Sequence, residues 1–164
     1  KLGNSYQSSF PLDWPVLGVS WDDASAYCKW LRNETGGRWE FRLPEDAEWE
    51  KAARGVDGRL FPWGNFFDFK MCCMVHSKEG LRDGPDPVGS FGLDESVYGV
   101  QDMAGNVCEW SQTFFDEGKN IRISRGAAWS YGDESFARCA GRNGTSPSTV
   151  APFRGFRIAI SIKQ

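Results

Sequence analysis

Residues 57–100 place the tightest limit on what this chain can fold into. Gly58, Pro62, Gly64, Gly80, Gly84, Pro85, Pro87, Gly89, Gly92 and Gly99 punctuate the stretch, with Phe61, Trp63, Phe66, Phe67 and Phe69 set singly between them. Neither the 3.6-residue helical period nor the two-residue strand period survives such spacing. Long irregular segments are uncommon inside compact domains unless they are functional. The rings must therefore act as buried anchors for loops, and the 19 Gly, 8 Trp and 12 Phe of the 164-residue chain extend that pattern along its length. A chain this long can bury roughly 70% of its unfolded surface, so residues 1–164 read as a single domain. No run approaches the ~18 apolar residues of a membrane span. With 19 basic against 22 acidic residues there is no overall positive field for a phosphate backbone, so nucleic acid is not an expected partner.

Regular structure is expected on either side of this segment. Ser20 and Asp23 have the spacing of a capping box, and Ala24, Tyr27, Cys28 and Leu31 follow at helical intervals, which predicts a helix that stops near Asn33-Glu34 before Gly36-Gly37. A second helix is predicted with Pro44 in its first turn, Glu45, Asp46 and Glu48 at its positive end and Gly55 as its stop. Arg122–Arg125 and Phe156–Ile162 read as strands, the latter with Phe156, Ile158, Ile160 and Ile162 on one face.

The lone histidine, His76, lies in a polar stretch and is expected at the surface; one imidazole cannot build the sites that most catalytic zinc and non-haem iron centres use. Five cysteines, an odd count without a Cys-x-x-Cys pair, make neither a disulfide framework nor a zinc site. Cys28 and Cys108 are expected to pack as small hydrophobes. Cys72-Cys73 fits both a plain loop pair and a redox pair.

An ordered series of blocks carries a resemblance. They are Pro15–Trp21, Arg42–Glu50, Phe61-Pro62-Trp63-Gly64-Asn65, Tyr98–Trp110 with its Gly105-Asn106-Val107-Cys108-Glu109-Trp110 core, Arg125-Gly126-Ala127-Ala128-Trp129 and Gly155-Phe156-Arg157. From about residue 15 to about 160 the chain resembles the sulfatase-modifying-factor family, whose founding member is the formylglycine-generating enzyme. The resemblance implies an α+β fold, a loop-rich C-type-lectin-like fold of the formylglycine-generating-enzyme subtype with two main helices and short antiparallel strands. It also implies an N-terminal portion that this chain lacks and with which it is expected to pair. In the family's enzyme two cysteines hold copper ahead of an Arg-Cys-Ala motif like Arg138-Cys139-Ala140; here Trp129 and Glu134 stand at those positions. Neither can serve as a soft copper ligand or a thiolate nucleophile, and the related iron-dependent sulfoxide synthases need a histidine triad. No catalytic residues, copper or iron are expected. The Asn106–Glu109 block resembles the family's calcium loop, so a structural calcium held by Asn106 and Glu109 is an expectation, against Glu109 simply capping or pairing locally. The second calcium loop of the enzyme is not matched at Met71–Met74.

Function is then expected on the presented loops. Residues 126–157 resemble the segment that diversity-generating retroelements rewrite in variable proteins of this family. Such mutagenesis cannot produce Lys, Gln, Glu, Met or Trp, and residues 143–154 contain none of them; a polar surface loop would read the same way. The expected ligand-binding set is Trp129, Ser130, Tyr131, Gly132, Asp133, Ser135, Asn143, Gly144, Thr145, Ser146, Phe153 and Arg154, with the aromatics as anchors, Asp133 and Arg154 as charged contacts and the small polar residues as adaptable ones. The expectation is a non-catalytic binding protein for a protein or other macromolecular ligand, and the family resemblance favours the cell surface or extracellular space. A divergent oxidase using Cys139 or Cys72-Cys73, or a fixed regulatory or scaffolding domain, is the alternative.

Overall fold

The computed structural model describes residues 11–80 and 82–162. Helix α1 runs Trp21–Glu34 and opens with the predicted capping box. Ser20 Oγ accepts from the Asp23 amide at 3.1 Å, and the Asp23 carboxylate accepts from the Ser20 amide at 3.0 Å. That exchange satisfies two backbone or capping groups otherwise left open at a helix start. Ala24 and Cys28 are the buried face, and Thr35 closes the helix ahead of Gly36-Gly37, both at positive φ.

Helix α2 runs Asp46–Arg54 behind Glu45 as N-cap, so Pro44 lies one residue before the cap and not in the first turn. The displacement follows from Glu48, whose carboxylate reaches back to the Glu45 amide at 2.9 Å and fixes the start there. Gly55 ends the helix at φ +68°, as predicted. Trp49 and Ala53 face inward.

Among the described residues six strands form two sheets. β1 (Trp39–Arg42) pairs antiparallel with β6 (Ala159–Ile162). β2 (Cys108–Asp116), β3 (Ile121–Arg125), β4 (Arg142–Thr145) and β5 (Arg154–Gly155) form a second sheet in the order β4-β3-β2-β5, with β5 parallel to β2. The terminal strand is shorter than the sequence pattern implies. Arg157 is drawn to Glu109, which takes 156–158 out of the ladder; Phe156 and Ile158 then pack beside α1, while Ile160 and Ile162 stay exposed.

Among the described residues the 57–100 segment is irregular apart from one 3-10 turn, Phe69–Met71, and isolated β-bridges at Phe61–Gly64 and Glu95–Gln101. Four of its five rings anchor it, while Phe66, expected as a fifth, is 63% exposed because its neighbours Trp63 and Phe67 fill the place beside Phe61. Phe61 is buried with Cys72 and Met74, Trp63 stacks on Phe61 at 5.5 Å, and Phe67 and Phe69 close the cluster.

Register assigns each strand residue of the larger sheet to a face, since paired residues point the same way. Glu109, Arg125, Arg142 and Gly155 share one face, towards α2. Cys108, Trp110, Ser124, Asn143 and Arg154 share the other, towards α1 and the 146–153 segment.

Candidate functional site

The second face and the loops above it hold most of the expected ligand residues. Tyr131 is the joint between them. Its ring meets Phe136 at 4.8 Å and Phe153 at 5.4 Å, and the Trp129 indole donates to the Pro152 carbonyl at 3.2 Å, tying loop 129–136 to the 146–153 segment. Backbone bonds hold each loop down: Val75 donates to the Tyr131 carbonyl at 3.1 Å, and Trp21 to the Pro147 carbonyl at 2.9 Å. Above this half-buried aromatic floor, Ser130, Gly132, Asp133, Ser135 and Ser146 are exposed. Asp133 caps a 3-10 turn (Glu134–Ala137) by accepting from the Ser135 amide at 2.8 Å, and that bond holds its carboxyl below the usual range.

Two groups of expected residues lie elsewhere than in a loop. Asn143, Gly144 and Thr145 are strand β4, the sheet's edge, where a Cβ on Gly144 would come within 2.7 Å of the Phe115 ring. A small residue is needed there for packing, whatever it contacts outside. Arg154, expected as an exposed charged contact, is 6% exposed. Parallel pairing with Cys108 turns its side chain inward, where the guanidinium lies 4.8 Å from the Trp110 ring and 5.6 Å from that of Phe153.

Neighbours of the floor that were not among the expected ligand residues are His76 and Phe69. His76 is exposed, as expected, but its ring meets Phe69 edge-on at 4.9 Å and stands against Gly132. Cys108 was expected only as core, yet its sulfur is 4.0 Å from the Tyr131 hydroxyl.

All five thiols are free and buried. Burial pushes each of them up: Cys73 and Cys139 to about 12, with Cys28, Cys72 and Cys108 also raised. At neutral pH they are protonated and poor nucleophiles. Cys72 and Cys73 form no disulfide, and Cys73 Sγ accepts from Arg82 at 3.0 Å.

The Asn106–Glu109 block borders a cavity of about 270 Å³ lined also by Asp102, Gly105, Val107 and Arg157. Glu109 accepts from the Trp49 indole at 2.7 Å and from Arg157 through both carboxylate oxygens. Asn106 is turned to the Asp86 backbone, bonding its amide and its carbonyl at 3.1 Å each. Asp102, at φ +57°, brings a second carboxylate to the cavity, and burial raises its pKa. Among the described residues no group of three or more His, Cys, Asp or Glu is placed to hold a metal ion. A hard cation here would draw on Asp102 and backbone carbonyls, with the Asn106 side chain and both Glu109 oxygens already engaged.

The family model for the sulfatase-modifying factor enzyme 1-like domain matches residues 3–162. The chain belongs to that family. It is 39% identical over 163 residues to inactive C-alpha-formylglycine-generating enzyme 2 of Mus musculus, covering 92% of the chain and 50% of that protein. It is 33% identical over 175 residues to the formylglycine-generating enzyme of the same species, covering 88% and 44%. The chain thus spans about half the length of the curated relatives it matches, and these include both an inactive protein and an enzyme. Among solved structures, PvdO from Pseudomonas aeruginosa aligns with TM-score 0.80 at 26% identity, covering 94% of the chain and 64% of PvdO. Treponema denticola variable protein 1 aligns with TM-score 0.76 at 20% identity, covering 98% and 76%. The α+β, C-type-lectin-like fold is that of these neighbours.

Proposed function

We propose that this family member is a non-catalytic ligand-binding domain whose contact surface is the exposed rim of loop 129–136 and the 146–153 segment. The observation that carries the proposal is the aromatic joint of Trp129, Tyr131, Phe136 and Phe153, which fixes two polar loops on one rigid floor. Preorganised loops lose less entropy on binding than mobile ones, and Ser130, Asp133, Ser135 and Ser146 then supply contacts that can change without disturbing the frame. The absence of catalysis is supported by the five protonated, buried thiols and by Trp129 and Glu134 at the copper-cysteine positions. Diversification of the segment is part of the same reading, supported by the residue types missing from 143–154.

Two measurements test it. Peptide and glycan arrays probed with the protein should give binders that Ser130→Ala with Asp133→Ala loses; unchanged binding by that double variant overturns the surface assignment. Incubation with copper(I) and a cysteine-containing peptide should leave the peptide sulfur in place by mass spectrometry, and its conversion to an aldehyde would overturn the non-catalytic reading. Calcium is proposed as a structural ion at the cavity bordered by Asp102 and Glu109. Calcium should raise the melting temperature over that in chelator, and Asp102→Asn should abolish the difference.

A further inference from the structure

Arg154 is an unpaired cation in the protein interior. Its Nε and Nη1 are sealed from solvent and have no hydrogen-bond partner, and no carboxylate among the described residues lies in ion-pair range. The other two arginines buried to this degree are matched: Arg125 by Asp46 and Glu50, and Arg82 by Asp86. A guanidinium cannot shed its proton in a protein, so burial without an anion is costly. Stacking on Trp110 and Phe153 offsets part of that cost.

The surroundings say what is missing. Polar groups that interact with it include the Cys108 thiol, which burial keeps protonated, and the Tyr131 hydroxyl, whose hydrogen bond is a weak one to that sulfur at 4.0 Å. Donors from Arg154 and Tyr131 thus meet around an atom that accepts poorly. Ser124, on the same sheet face beyond Trp110, also carries a buried hydroxyl without a partner. The set lacks an anionic oxygen acceptor. Nη2 is not among these sealed, unpartnered atoms, and it shares an edge with Nε, the edge on which arginine grips a carboxylate through two parallel bonds.

We propose that Arg154 is the receptor for a carboxylate carried by the ligand, entering beneath the Pro152-Phe153 turn with Tyr131 as second donor. The proposal names the chemical class bound at the surface described above and rests on that reading for what the carboxylate belongs to.

The test uses the whole chain, with acetate and succinate as probes, sulfate as a tetrahedral comparator and sodium chloride at matched ionic strength. Thermal melting should rise saturably with acetate or succinate in the parent protein. Arg154→Met should melt at the same temperature or higher without anion, because it removes an unpaired charge, and should bind the carboxylates at least about tenfold more weakly. Arg154→Lys, which keeps the charge but loses the fork, should recover only part of the response. Equal responses of parent and Arg154→Met, a response to sulfate alone, or an Arg154→Met variant that melts much lower without anion would each overturn the proposal. A carboxylate response confined to Arg154, with array binders that carry no acidic group, would keep this site while removing the surface reading above.

Discussion

The two faces of the four-stranded sheet each bury an arginine, and they treat it in opposite ways. On the α2 face, Arg125 is fully buried with its donors spent: Nε and Nη2 on Asp46 and Glu50, Nη1 on the Cys139 and Gly141 carbonyls. It joins α2, β3 and the Arg-Cys-Ala segment into one network. On the α1 face, Arg154 has rings around it and, among the described residues, no acceptor for Nε or Nη1. A matched buried charge holds a frame together, and an unmatched one weakens it unless a partner arrives. In the reading proposed above, one sheet thus has a structural side and a side left open to binding.

That contrast can be broken by substitution. Arg125→Met should have the largest effect, a loss of about 3–5 kcal/mol in chemical denaturation, because Asp46 and Glu50 are left partly buried without their shared partner. The same change at Arg154 should cost nothing; comparable losses at both sites would erase the distinction. Gly155→Ala comes next. A Cβ there would sit 2.2 Å from the Val16 carbonyl oxygen, and that backbone has to move, at about 3 kcal/mol.

A third prediction extends the comparison to a buried acid. Asp94 is fully buried, accepts from the Ala104 amide at 2.9 Å, and burial raises its pKa to about 8. Its folded pKa lies above the unfolded value, so its contribution is fully present below about pH 4 and is lost as pH rises through about 8. Unfolding free energy should fall by up to roughly 1 kcal/mol per pH unit between pH 5 and 8 from this group. Asp94→Asn keeps the acceptor and should flatten the slope; an unchanged slope would show that Asp94 is ionised in the fold. The smallest effect belongs to the rim: Ser130→Ala should shift stability by no more than about 0.5 kcal/mol while altering binding.

The local features of the fold were legible in the sequence and the remote ones were not. Ser20 and Asp23 announced α1, and Gly55 announced the end of α2, because a cap acts within a few residues. Strand β4 was hidden: Arg142-Asn143-Gly144-Thr145 has the composition of a turn, and only pairing with β3 and the pressure of Phe115 on Gly144 make it extended. The segment proposed for ligand contact was marked out only through the family's motifs. The inward turn of Arg154 depends on a parallel pairing with Cys108, far away in the chain, and arginine type alone argues for the surface. Pairing Arg157 with Glu109, which shortens β6, is likewise a long-range event with no local signal.

The five buried thiols have a consequence for the lifetime of the protein. None is tied into a disulfide, so the native chain has no covalent brace and offers no reactive sulfur to its surroundings. Once the chain opens, every sulfur emerges at its ordinary acidity, and in an oxidising medium cross-linking competes with refolding. How long the protein survives there is set by how often it opens, and so by the height of its unfolding barrier.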